Sequence, residues 1–290
     1  MWNLLRYVWT HPLNSNGKVA ALWRVFCWQI ATRLMSGGPI ALPFVAGTWL
    51  FATRGMTGAT GNWYCGLHEV NEMAFVLHFL HPTEHFVDVG ANVGSYSILA
   101  GGCVKARVTA VEPIPSTFAH LQRNVALNDL NTVRCCQVGL SDTPGTLRFS
   151  SGLDTVNHVL AIDEDLPSID VPVMRLDDLV GPDVPTLIKI DVEGHELAVL
   201  RGSCQTLANK QLLAVIMETN GSGARYGVAD DALVELMRDY GFEPFGYDPF
   251  SRKLVNAISA NGNTLFVRDS DVVQARCRSA RKFQLVNGVI

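Results

Sequence analysis

Short apolar runs at 86–89, 108–111, 186–190 and 213–218 alternate with helical patterns, and this alternation constrains the fold more than any other feature of the chain. The runs are rich in valine, isoleucine and leucine, as suits strands buried on both faces of a sheet. A less apolar run at 133–138 reads as a further strand. Helices are expected at 68–80, 96–100, 116–127, 196–208 and 230–240, with Ser116 as the N-cap of the third. The segment 141–184 reads as irregular, and 244–247 and 264–268 are expected to pair as a final hairpin. Strand–helix alternation of this kind predicts an α/β fold with a doubly wound, mostly parallel sheet. A chain of 290 residues, 48% apolar and 17% charged, suits one such domain with a large core and an added segment.

The first run leads into Asp88-Val-Gly90-Ala-Asn92-Val-Gly94-Ser95. A glycine-rich turn between a first strand and its helix lets a ligand approach the backbone closely. The second run ends at Glu112, 24 residues after Asp88, where an acidic residue accepts hydrogen bonds from ribose hydroxyls. A dinucleotide turn would read Gly-x-Gly-x-x-Gly and hold a pyrophosphate at the helix N-terminus. Here the glycines stand four apart, and the Asp88 carboxylate disfavours a pyrophosphate. It suits a ligand with a sulfonium and an amino group, which points to S-adenosyl-L-methionine (SAM).

FVDVGANVGSYSILA, VEPIPSTFAHLQRNVALN, GLSDTPGTLRF and LIKIDVEGHELAVLRG together resemble the FkbM-type SAM-dependent methyltransferases. The resemblance spans roughly residues 66–268 and rests on several separated motifs. It implies the Rossmann-like class I methyltransferase fold, a seven-stranded sheet with its last strand antiparallel, here carrying an N-terminal helical extension. It also implies an O-methyltransferase acting on hydroxyls of saccharides, glycolipids or secondary metabolites. Position by position, Asp88, Gly90, Asn92, Gly94 and Ser95 match the first SAM motif. Glu112, with Pro113, matches the ribose-binding acid, and Leu140 and Ser141 follow the strand beside which the adenine is held. HPLNSNGK and GMTGATGNWYCGLHE resemble the leader of one bacterial branch.

The stretch LIKIDVEGHELAVLRG delivers Lys189, Asp191, Glu193 and His195 to the carboxyl end of a buried strand, where open α/β sheets bind ligands. Lys189 and Asp191 alternate with Ile188 and Ile190 and so share a sheet face. Glu218 ends the next strand, and Asn157 and His158 lie in the segment expected to cover the pocket as substrate contacts. Methyl transfer needs the acceptor oxygen, methyl and sulfur aligned in a dry site, and a hydroxyl acceptor gains from a base. Lys189 is either a base with a lowered pKa or half of a buried ion pair; in the second case the catalytic base is expected among the carboxylates Asp191, Glu193 and Glu218 or at His195. His195 reads as a first-turn helix residue on the surface, and Glu193 as a carboxylate complementing the helix dipole. Asp191, Glu193 and Glu218 could together bind a divalent metal, but no ligand spacing demands one, so none is expected. Glu69 follows the Gly/Thr-rich segment 55–66, read as a loop that folds over the cofactor.

The remainder of the chain sets context. The first acidic residue is Glu69, whereas Arg6, Lys18, Arg24, Arg33 and Arg54 precede it. The other 222 residues carry 18 basic and 27 acidic groups. All six tryptophans fall within residues 2–63. Residues 19–35 place Leu22, Val25, Phe26, Ile30 and Leu34 at helical spacing, which fits either a helix packed on the main domain or one lying at a membrane interface. The uncharged stretch 34–53 is broken by glycine and proline and is too short in its apolar part to span a bilayer. The organisation expected is an extension over 1–67, a methyltransferase domain over 68–270 and a tail over 271–290. Seven scattered cysteines without Cys-x-x-Cys pairs suit a reducing cytoplasm, with peripheral contact at the inner membrane surface through residues 1–35 and a homodimer both compatible. The acidic main domain disfavours nucleic acid as a substrate. Two other functions remain open at this level: a nicotinamide-dependent oxidoreductase, and a non-catalytic, membrane-docked SAM-binding scaffold.

Overall fold

The computed structural model describes residues 1–34, 38–152, 157–161, 164–256 and 262–290. The chain starts with an added layer: helices α1 (Trp2–Thr10) and α2 (Lys18–Leu34), a hairpin of β1 (Ile40–Pro43) and β2 (Trp49–Ala52), and helix α3 (Thr57–Cys65). Met35, the last residue of the expected second helix, lies outside the described residues. Helix α2 buries Ala21, Val25, Trp28 and Thr32, while Phe26, Ile30 and Leu34 of the expected stripe are exposed. The helix therefore has two apolar faces, and it packs on the domain by the one that carries Ala21, Val25 and Trp28.

The segment 55–66 is mostly helix rather than loop. Its glycines lower intrinsic propensity, but tertiary bonds override that weak preference. The Thr60 hydroxyl donates to the Met56 carbonyl at 2.7 Å. Asn62 donates to Ser95 Oγ at 3.1 Å and accepts from the His68 N–H at 2.8 Å. Gly61 is required by contact, since a Cβ there would lie 2.4 Å from Nδ1 of His68.

Helix α4 (Val70–Phe79) leads into the main sheet. Strands β3 (His85–Val89), β4 (Arg107–Val111) and β5 (Val133–Cys136) enclose the short α5 (Ser95–Ile98), a wider helical turn at Leu99–Val104, and α6 (Pro115–Leu127). Pro115 opens α6, and Ser116 lies inside its first turn rather than capping it; a proline fits there because no N–H is needed. The segment after β5 is more ordered than expected: β6 (Gly139–Leu140), β7 (Gly145–Ser150) and β8 (Ser168–Met174) form a small sheet, followed by α7 (Leu176–Val180). Strand β9 (Leu187–Ile190) precedes two short helices, α8 (Glu196–Arg201) and α9 (Cys204–Ala208), where one had been expected. Strand β10 (Ala214–Thr219), α10 (Asp230–Asp239), β11 (Glu243–Asp248), β12 (Lys253–Val255), β13 (Gly262–Val267) and α11 (Ser270–Ser279) follow.

The main sheet has the order β12-β11-β13-β10-β9-β3-β4-β5. Strands β3, β4, β5, β9 and β10 run parallel, and β13 is antiparallel to β10. This is the expected doubly wound sheet with one more edge strand, β12. The late segments do pair, Glu243 with Val267, but β12 lies between them in the chain. Alternation along the strands divides the core. Phe86, Leu187 and Ile216 face a layer with α4, while Val87, Ile188 and Val215 face α7 to α10.

The final residues close back on the added layer. Gln284–Leu285 pairs with Gly288–Val289, and between them Asn287 donates to the Leu13 and Cys65 carbonyls at 3.0 and 2.8 Å and to Asn14 Oδ1 at 2.8 Å.

Candidate functional site

The site forms where β3, β4, β9 and β10 end. At the exit of β3, Gly90 has φ +76°, and a Cβ there would lie 1.9 Å from the Asp191 carbonyl oxygen. Only glycine lets the ends of β3 and β9 touch. Asn92 also takes a left-handed conformation, φ +51°, which asparagine tolerates. Its N–H donates to Glu112 Oε2 at 2.9 Å, and the Ile114 N–H donates to Oε1 at 2.9 Å. Both oxygens of this acid are thus oriented while each keeps a lone pair. Burial pushes Glu112 up to about 7, against the pull of those two N–H groups.

Parallel pairing sets Lys189 directly beside Asp88 on the same sheet face. Lys189 is 3% exposed, donates to Asp191 Oδ2 at 2.6 Å and lies 4.7 Å above the ring of Tyr96. Burial alone would lower its pKa, but Asp191, Glu69 and Asp88 outweigh it and hold the ammonium above its ordinary value. Of the two roles open to this lysine, the geometry provides the charged, ion-paired one. Asp88 is buried; its Oδ2 accepts from the Ser97 hydroxyl at 2.7 Å, and its Oδ1 has no hydrogen-bond partner. Glu69 accepts from the Tyr96 hydroxyl at 2.7 Å and faces the Asn263 amide at 3.4 Å.

Glu193 is not in a helical turn. It sits before α8 in a left-handed conformation, φ +55°, with its carbonyl accepting from Arg225 at 3.0 Å. Glu196 takes the capping role instead, its Oε1 accepting from the N–H groups of Val192 and Gly194 at 3.2 and 3.1 Å. Glu218 Oε1 accepts a hydrogen bond from the Asn220 side-chain amide at 2.7 Å, and its Oε2 is buried without a partner. Burial, then Asp191 and Glu196, push Glu193 up to about 7. Burial, then Asp191, Glu193 and Glu196, push Glu218 up to about 8. Oxygens of Asp191, Glu193 and Glu218 all lie within 4.8 Å of one another, close enough to hold one divalent cation.

These groups line an open cleft of about 270 Å³. Glu69, Gly90, Asn92, Ser95, Glu112, Pro113, Asn157, Lys189, Asp191, Glu193 and Glu218 reach its wall. Asp88 and Gly94 lie beneath the loop instead, because the tight turn raises Gly90 and Asn92 over them. Leu140 and His195 line a small adjoining cavity that shares Gly90, Pro113, Phe149 and Val192 with the cleft. His195 is half-buried rather than on the surface, with Nε2 3.2 Å from Ser141 Oγ and its ring edge-on to Tyr226. Ser141 is buried in that contact. His158 is buried 3.2 Å from Glu164 and does not reach the cleft.

Sequence reasoning misses Met56, just before α3, and Thr57, Gly58 and Ala59, which α3 presents to the cleft, because the glycines of that segment point to a loop. It also missed Phe149, on a strand taken as irregular, and Tyr96. Only Tyr96 carried a signal, since it stands one residue into the helix after the glycine turn.

The donor set suits a nucleoside with a cationic centre. Five carboxylates and one lysine line the cleft, Glu112 is aimed by two backbone N–H groups, and a buried Asp88 oxygen has no partner beside it. A doubly wound sheet with such a site at its carboxyl ends belongs to the class of nucleoside-cofactor enzymes. Residues 88–244 match the model of the methyltransferase FkbM domain, and the chain belongs to that family. Its cofactor is S-adenosyl-L-methionine.

Three relatives bear on this. Methyltransferase sdnD of Sordaria araneosa is 30% identical over 56% of this chain and 75% of its own length. Methyltransferase 1 of Beauveria bassiana is 31% identical over 42% of this chain, and hexuronic acid methyltransferase AglP of Haloferax volcanii is 32% identical over 44%. The chain spans 59% and 53% of the lengths of these last two.

Proposed function

We propose that this chain is a SAM-dependent O-methyltransferase whose acceptor is a hydroxyl of a saccharide, a glycolipid or a secondary metabolite. One observation carries the reading. Glu218 presents a buried, unpartnered oxygen at the cleft and is pushed up to about 8, which suits a base working near neutral pH. When bound, SAM supplies a methyl carbon already activated by its sulfonium. Glu112 holds ribose hydroxyls, and the turn at Gly90 permits close approach of the cofactor to the backbone. Lys189, charged and fixed by Asp191, orients the acceptor oxygen. Glu218 would take the hydroxyl proton as the oxygen–carbon bond forms and the carbon–sulfur bond breaks, releasing the neutral thioether S-adenosylhomocysteine. Phe149, Met73 and Ile114 line the cleft and keep part of its wall dry. The hexuronic acid named for the archaeal relative supports a saccharide acceptor.

The test is transfer of labelled methyl from SAM to a panel of sugars, uronic acids, glycolipids and phenols. Glu218→Gln should lower kcat about a hundredfold and remove the rise of rate with pH through about 8. Label appearing on nitrogen alone, or calorimetry showing nicotinamide nucleotide bound in place of SAM, would refute the reading.

A further inference from the structure

Helix α2 exposes Val19, Trp23, Phe26, Ile30 and Leu34, with exposures from 42% to 77%. Their spacing of four, three, four and four residues puts them on one face, directly away from the buried Ala21, Val25, Trp28 and Thr32. Trp23 and Phe26 are in ring contact, with centroids 5.3 Å apart. Helix α1 repeats the pattern: Trp2 and Trp9, seven residues apart, are exposed with Arg6 between them. Lys18 lies 5.0 Å over the Trp9 ring and joins the two faces. Soluble proteins rarely leave so long an aromatic stripe to water.

The charge around the stripe selects its occupant. Arg6 and Arg33 are exposed beside it, and no acidic residue occurs before Glu69. A two-fold contact with a second copy would bring these cations near their own equivalents, and neither helix supplies a carboxylate to offset them. An anionic lipid surface complements both features, since tryptophans settle at the headgroup level and arginines face the phosphates. Among the described residues no helix is long and apolar enough to cross a membrane, so the layer would lie on the bilayer.

We infer that α1 and α2 dock this protein on an anionic bilayer surface through the stripe from Trp2 to Leu34. The opposite side of the same layer borders the cleft. Tyr7 of α1 places its hydroxyl 2.7 Å from Nδ1 of His68, and His68 and α3 form part of the cleft wall. Docking therefore holds the cleft one helix layer back from the headgroups, whatever the acceptor is.

The full chain would be sedimented with phosphatidylcholine vesicles and with vesicles containing phosphatidylglycerol, at low and at physiological salt. The expected result is binding to the anionic vesicles only, weakened by salt. The double variant Trp23→Glu, Phe26→Glu should lower the bound fraction about tenfold while leaving thermal unfolding and S-adenosylhomocysteine affinity unchanged, because both side chains are exposed. Failure of the wild type to sediment with anionic vesicles would overturn the inference, as would equal binding by the double variant. A concentration-dependent dimer in light scattering that the double variant abolishes would assign the stripe to a second copy and overturn it too. Vesicle binding is read without turnover, so this outcome is separate from that of the methyl-transfer test.

Discussion

Replacing Lys189 with methionine keeps the length of the side chain and removes its charge. Lys189 is 3% exposed, and its Nζ lies 2.6 Å from Asp191 Oδ2. Its charge also lowers the pKa values of Asp88, Glu193 and Glu218. Deleting one partner of a buried pair costs about 3–5 kcal/mol, because the other charge is left uncompensated. Asp191 retains 28% exposure and so some hydration, which favours the lower end, about 3 kcal/mol. At about 2–3 °C per kcal/mol, Lys189→Met should unfold about 6–9 °C below the wild type. The deficit should depend on pH with a definite sign. Without the lysine these carboxyls have folded pKa values raised further above their unfolded ones. A raised acid is harmless while protonated and destabilises once ionised. The loss should therefore be least toward about pH 5, grow as pH passes the values of Glu193 and Glu218, about 7 and about 8, and still be rising at about pH 8. Differential scanning fluorimetry across that range measures it. An equal loss at both ends would mean that the methionine upsets packing rather than the balance of charge, and no loss at about pH 8 would refute the buried charge network altogether.

Gly90→Ala should lower stability by at least about 2 kcal/mol, since alanine at φ +76° is strained and its Cβ would meet the Asp191 carbonyl at 1.9 Å. Chemical denaturation and S-adenosylhomocysteine calorimetry should both register it; unchanged affinity would separate the turn from the cofactor. Glu69→Ala frees the Tyr96 hydroxyl and removes one carboxylate supporting Lys189, so cofactor affinity should fall about tenfold. An unchanged affinity in calorimetry would count against the idea that this segment folds over the cofactor.

The parallel strands were legible because a strand buried on both faces has few solutions other than a continuous apolar run. Gly90 and Glu112 were legible for a related reason: a turn that must touch a neighbouring carbonyl admits only glycine, and the acid at the next strand end is held by backbone N–H groups. Helix α3 was not legible. Its glycines argue for a loop, and part of what makes it a helix is distant in sequence: the bond of Asn62 to Ser95, 33 residues on. Lys189 was ambiguous for a similar reason. An isolated buried lysine loses its proton, and only the placement of Asp88, Glu69 and Asp191 around it reverses the sign. The two apolar faces of α2 were merged into one stripe, because helical spacing alone does not say which of two opposed faces meets the core.

The bonds of Asn287 have a consequence for the order in which the molecule assembles. This residue stands 273 positions after Asn14, yet it ties together Leu13, Asn14 and Cys65, the points where α1, α2 and α3 meet. The layer that walls the cleft is synthesised before the sheet, yet it gains its full set of bonds only after Asn287 has followed. During synthesis the sheet and its glycine turn can form while α3 still lacks this tie. A nascent chain should thus present its cofactor-binding turn to solvent before it has a finished mouth, and it should pass through that open state once in every round of synthesis.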